Sequence, residues 1–234
     1  MRIILCGLLV AAITLTPYPT FGDEDPHSLL LKTQDGHGHY MRWPFNPEGV
    51  AIIPYAFIDE GRAVRFDGNT IAGSDNCRHM RPFTRILQQN SHISRHGLHA
   101  QARRMMRRWE QHARVRFVEV PLSRARLIIG ELTHVRGVAW ANMVITNTPR
   151  TYRIIQKAAI CISPDALLVM NEADSNSRVS LERAFVHELG HILGLDHPTE
   201  GNDPSKLMGL SLKGLVRLST MDQQAIQLLY GPPQ

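Results

Sequence analysis

The chain has 234 residues, of which 43% are hydrophobic and 20% charged, with a formal net charge of +5. That is enough apolar material for one domain of ordinary size with a real core, or for a domain plus tails. A moderate positive balance carried mostly by arginine can favour acidic partners, but it does not by itself indicate nucleic acid.

Residues 1–22 read as a secretory signal peptide: Arg2 supplies the positive start, Ile3–Leu15 the apolar run, and Thr20 and Gly22 small residues at offsets that suit cleavage before Asp23. An uncleaved N-terminal anchor is the alternative. No later stretch is apolar enough to span a bilayer. The expected product is exported, either secreted to the extracellular space or periplasmic if the producer is a Gram-negative bacterium. Two cysteines remain after the signal, Cys77 and Cys161, and an even count in an oxidising compartment suggests one disulfide. Two free buried thiols are the other reading.

Residues 23–40 are polar, contain Gly36-His37-Gly38-His39, and read as a flexible N-terminal segment. Order is expected from Met41. The apolar run Val50–Ile58 predicts a strand with Pro54 at a bulge or an edge. Residues 60–90, rich in glycine and turn residues, read mostly as loop. From Gly97 to about His112, Leu98, Ala102, Met105 and Trp109 recur at helical spacing. Arg103, Arg104, Arg107 and Arg108 fill the other face, which is either a solvated surface or an anion-binding one, the first being favoured. Strands follow at Arg114–Val120, Arg126–Gly130, Val138–Ile145 and Ala158–Ser163. The order predicts an α+β fold, a mixed sheet with helices packed on it. A closing helix is expected over Thr220–Tyr230.

The densest signal is Val186-His187-Glu188-Leu189-Gly190-His191-Ile192-Leu193-Gly194-Leu195-Asp196-His197. Histidines four apart on a helix lie about 40° from eclipsed and about 6 Å apart along the axis, so both rings reach one metal. Glu188 projects from a neighbouring angle and is placed to take a proton from a metal-activated water. Gly194 suits a left-handed turn that ends the helix and lets the chain double back with His197 as a third ligand. Three protein ligands and one open position describe a catalytic zinc. Ser180 is the expected N-cap, with Glu182 in the first turn. A chance surface pattern is disfavoured because Phe185, Leu189 and Ile192 give this helix a buried face, where histidines and a glutamate need a partner.

With these pieces the chain resembles a metzincin zinc endopeptidase, most closely the matrixin branch. The resemblance rests on H-E-x-x-H-x-x-G-x-x-H at 187–197, on Met208 at the place of the family's Met-turn, and on Leu218–Gly231, similar to the terminal helix of matrixin catalytic domains. Arg42-Trp43 through Tyr55 resembles the first strand shared with astacins. It implies a catalytic domain over 41–234, built as a twisted mixed five-stranded sheet packed with helices in the metzincin architecture. It also implies one catalytic Zn²⁺ on His187, His191 and His197, Glu188 as general base, and Met208 as the floor beneath the metal. A substrate pocket would be walled by residues such as Leu210, Leu212 and Leu215, and a substrate would lie along Val138–Ile145. Where the family has two adjacent acids opening the last helix, this chain has Met221 and Asp222, so only the second can tie that helix to the Met-turn. No cysteine switch is recognisable, and neither are the ligands of a structural zinc or calcium around His134. The expected partner is a protein or peptide substrate, and the expected state is a monomer with no nucleic acid and no stable membrane anchor. A non-catalytic zinc-containing binding protein on the same scaffold, an adhesin or inhibitor, is the rival reading; so is a different exported zinc hydrolase.

Overall fold

The computed structural model describes residues 25–32, 38–61, 63–67, 76–134, 137–146, 152–166, 168–169, 179–198, 206–209 and 216–233. The stretch read as a signal peptide lies outside the described residues, as do Leu210, Leu212 and Leu215.

In chain order the elements begin with a 3-10 turn (Pro26–Leu29), β1 (Tyr40–Arg42), β2 (Ala51–Phe57), β3 (Val64–Arg65), β4 (His79–Arg81) and α1 (Arg85–Gln89). Then come α2 (Arg95–Glu110), β5 (Val115–Glu119), β6 (Leu127–Leu132), β7 (Ala139–Ile145) and β8 (Tyr152–Ile162). The chain ends with β9 (Leu168–Val169), β10 (Val179–Ser180), α3 (Leu181–Ile192) and α4 (Thr220–Tyr230). The five strands expected from sequence form the main sheet. β5, β2, β6 and β8 are neighbours in that order and run parallel; β7 closes the far side antiparallel to β8. Three short strands extend it: β1 beside the start of β8, and the β3–β4 pair on the end of β6.

Alternation along the strands sends their side chains to two cores. Leu127 and Ile129 of β6, with Ala158, Ile160 and Ile162 of β8, join the main cluster with the helices. Ala159 and Cys161 face a smaller cluster built with Ile58, Phe66, Cys77, Met80 and Leu132. The Cys77–Cys161 disulfide, 84 residues apart in sequence, lies in that second cluster. This closes the free-thiol alternative and agrees with an oxidising compartment. Among the described residues no helix is long and apolar enough to cross a membrane.

Four readings change. Pro54 is at neither a bulge nor an edge: β2 lies between β5 and β6. Ala51 N and Tyr55 O bond towards β5, whereas Pro54 O accepts from Arg126 N on the other side. The donor that Pro54 lacks therefore points at the 3-10 turn before β6, where no ladder exists to be broken. β8 starts at Tyr152 rather than Ala158, because its first half pairs with β1 and β7 despite the exposed Gln156 and Lys157. Residues 60–90 hold β3, β4 and α1 as well as loop. Their short helix is organised by Glu131, a buried carboxylate on β6 that accepts from Thr84 N, Ile86 N and Arg81 Nε at 3.1, 2.7 and 2.7 Å. Finally, a flexible lead-in does not describe residues 25–32. Asp25 caps the 3-10 turn, and Leu29, Leu30 and Leu31 are buried in the main core.

Candidate metal centre

α3 starts where the sequence says it should. Ser180 is extended, its hydroxyl accepts from Arg183 N, and Glu182 stands in the first turn, where an acid complements the helix dipole. The helix lies against α2, β7 and β8. On the α2 side, Trp109 Nε1 donates to Val186 O at 3.0 Å. Gly190 allows a close approach there: a Cβ would overlap the Met208 sulfur, which would have to move, and press on the Trp109 ring. A glycine inside a helix costs roughly 1 kcal/mol against alanine, so its presence could have been read in the sequence as a sign of close approach.

The helix ends in a Schellman arrangement. Gly194 adopts φ +97°, Leu195 N donates to Gly190 O at 3.0 Å and Gly194 N to His191 O at 2.8 Å. The remaining terminal carbonyls are taken by distant side chains. Trp43 Nε1 donates to Ile192 O at 2.8 Å and the Tyr230 hydroxyl to Leu193 O at 2.9 Å, while Trp43 N donates to that same hydroxyl. The motif residues Trp43 and Tyr230 thus brace the turn from which His197 emerges.

His187, His191 and His197 converge, with one nitrogen from each lying within 4.8 Å of the others. His187 Nε2 is 3.1 Å from His191 Nε2 and 3.2 Å from His197 Nε2. His187 Nδ1 faces Leu207 O at 3.0 Å and His191 Nδ1 faces Leu195 O at 2.9 Å. A carbonyl can only accept, so both Nδ1 atoms carry the proton and both Nε2 lone pairs point inward. Lone pairs facing each other at this distance repel unless a cation lies between them. Tetrahedral zinc with Zn–N about 2.0–2.1 Å puts ligand nitrogens roughly 3.3–3.4 Å apart, so the donor set fits such an ion. Burial lowers the proton affinity of all three rings: His187 well below the ordinary value, His191 to about 4 with His197 adding to the effect, and His197 despite the opposing pull of Asp196. They are neutral at pH 7, as metal ligation needs.

Glu188 is buried beside this group but outside it. Burial pushes its carboxyl up to about 8. The turn below the histidines is fastened at each backbone group that matters. Arg183, wholly buried on α3, donates to Lys206 O at 2.9 Å, and Asp222 accepts from Leu207 N at 3.1 Å and Met208 N at 3.4 Å. Asp222 also closes a capping box with Ser219 at the start of α4. The single acid left in the last helix therefore does link it to the turn that carries Met208. Leu207, Leu195 and Arg183 were not singled out from sequence. Their roles depend on backbone carbonyls or on partners about 20 residues away.

The arginine face of α2 divides. Arg103 pairs with Glu119 at 2.8 Å and Arg108 donates to Val216 O at 2.6 Å, whereas Arg104 and Arg107 are exposed. That favours the solvated-surface reading.

In the comparisons with known proteins, a peptidase family model described as Matrixin matches residues 81–231. A search of curated proteins finds no match.

Proposed function

The chain belongs to the matrixin family of metallopeptidases, and from that premise we propose that it is an exported zinc endopeptidase in which His187, His191 and His197 hold the ion and Glu188 is the general base. The observation that carries the reading is the convergence of three neutral imidazoles, two of them oriented by backbone carbonyls, next to a buried carboxylate.

Zinc, when bound, supplies Lewis acidity towards a water molecule and the carbonyl of the scissile bond. Leu207 O and Leu195 O keep the His187 and His191 rings in the ligating tautomer, the supporting role that outer partners play at such sites. Glu188 accepts the proton released by the attacking water and returns it to the leaving amine. β7 pairs with β8 on one side, and among the described residues no strand pairs with its other side. An extended peptide laid along that edge, over α3, would gain strand-like backbone bonds. Met208, packed on Gly190, is the proposed floor of the centre. Leu210, Leu212 and Leu215 are proposed to give the pocket an apolar preference.

Retention of a buried Glu188 speaks against the non-catalytic alternative, because a binding protein has no use for a base there. The purified protein is expected to cleave unfolded casein or a quenched peptide library, to stop on chelation and to recover with zinc. His197→Ala is expected to lower zinc content and activity together. Stoichiometric zinc without any cleavage would favour the non-catalytic scaffold, and cleavage indifferent to chelator would remove the metal from the mechanism.

A further inference from the structure

The loop that delivers His197 is held from a side that the reaction does not use. Leu29–Leu31 runs antiparallel to Gly194–Asp196, with Leu30 bridged to Leu195. Leu31 N donates to Gly194 O at 2.9 Å, and Asp196 N donates to Leu29 O at 2.7 Å. The second bond fixes the peptide immediately ahead of His197, while the Asp196 carboxylate accepts from His197 N at 2.8 Å. The three leucines are buried, and the turn Pro26–Leu29 packs on α4. Met41 O and a Leu229 methyl fill the space where a Gly194 side chain would be. Gly194–Asp196 is thus gripped between Leu29–Leu31, β1 and α4.

The contrast with the other two ligands gives this grip its meaning. His187 and His191 are fixed by a helix and by Nδ1–carbonyl bonds. His197 has no helix under it, and its Nδ1 is 3.8 Å from the Asp196 carboxylate, beyond a good hydrogen bond. Its position is set by the backbone of residues 194–196, and that backbone is set in part by residues 29–31. We propose that Leu29–Leu31 is a positioning strap for the third metal ligand, a segment ahead of the first long strand whose task is to keep His197 closed onto the other two histidines. The inference rests on the reading of the three histidines as metal ligands.

Leu30 has φ −83° and ψ 124°, the extended conformation that a residue before proline prefers, so Leu31→Pro removes the N–H without straining its neighbour. Leu31→Ala loses the side chain but keeps the hydrogen bond. Leu29→Ala removes the buried anchor and keeps both bonds, and Leu132→Ala opens a comparable cavity in the second cluster. Each full-length protein is loaded with zinc, and release to excess chelator is timed; cobalt-loaded samples report site geometry through their visible absorption. Leu31→Pro is expected to release zinc about tenfold faster than wild type and to alter the cobalt band, in line with the usual effect of losing outer support. Leu29→Ala should move the same way, with Leu31→Ala and Leu132→Ala close to wild type. Release rates and cobalt spectra for Leu31→Pro and Leu29→Ala that match Leu132→Ala would overturn the strap. A wild-type chain that holds no zinc, or holds it equally after His187→Ala, would instead remove the metal reading beneath it.

Discussion

Asp222 offers the sharpest test of how the metal centre is supported. Its wholly buried carboxylate accepts from Leu207 N, Met208 N, Ser219 N and the Ser219 hydroxyl, at 3.1, 3.4, 2.8 and 2.7 Å. Three of these donors share Oδ2; only Met208 N uses Oδ1. In Asp222→Asn the amide oxygen can keep the three and the amide nitrogen then meets Met208 N, donor against donor. The loss is the longest bond plus the charge assistance of the others, about 2–3 kcal/mol. Asp222→Ala strands two buried backbone N–H groups, of Leu207 and Met208, at about 1–3 kcal/mol each, and leaves the half-buried Ser219 N–H without its acceptor, so on the order of 4 kcal/mol. At about 2–4 °C per kcal/mol for a chain of this size, Asn should lower the zinc-loaded melting temperature by roughly 4–12 °C, and Ala by more. Because Leu207 O orients His187, zinc release should also quicken in both variants. An Asp222→Ala protein within about 1 kcal/mol of wild type in urea titrations would refute the idea that this carboxylate holds the turn.

Three further outcomes are expected. Gly190→Ala should destabilise by about 1–3 kcal/mol through overlap with Met208, against a helix propensity that favours alanine; a stabilised variant in thermal melts would contradict the packing. Reducing Cys77–Cys161, or replacing both cysteines by alanine, should cost about 4 kcal/mol from the unfolded-state entropy of an 84-residue separation, read in urea; a change below about 1 kcal/mol would contradict it. In metal-free protein, Glu188 has its proton affinity raised from 4.5 to about 8 on folding, so the folded state binds the extra proton in that window and stability falls as pH rises through it. Glu188→Gln should then match wild type near pH 4 and exceed it by on the order of 4 kcal/mol above pH 8, and equal stabilities at high pH would show that the carboxylate is not desolvated.

The parts of the fold that were legible in the sequence are those whose causes are local. α2 and α3 carry a helical apolar stripe, α3 has the serine N-cap its sequence shows, and Gly194 ends α3 where its left-handed turn is needed; the Ser94 cap, which starts α2 at Arg95, two residues ahead of Gly97, was not read. β2 and β6 are apolar runs that any core would bury. What escaped depends on partners far along the chain. Leu29–Leu31 is a short apolar run in a polar stretch, and its partners, Gly194–Asp196 and α4, lie more than 160 residues later. α1 is five residues long and has no readable period; Glu131 on another element supplies its cap. The first half of β8 is polar enough to pass for a loop until β1 and β7 pair with it. At the metal centre the side chains were legible from spacing. The carbonyls of Leu207 and Leu195 were not, because any residue type presents the same carbonyl.

One bound zinc and Glu188 are proposed to hydrolyse peptide bonds together, and the decisive measurement is zinc content and peptide cleavage on the same preparation of Glu188→Ala. About one zinc per chain is expected, as in wild type, with cleavage abolished, since the three histidines are untouched and the proton carrier is gone. Undiminished cleavage at full zinc occupancy would contradict it.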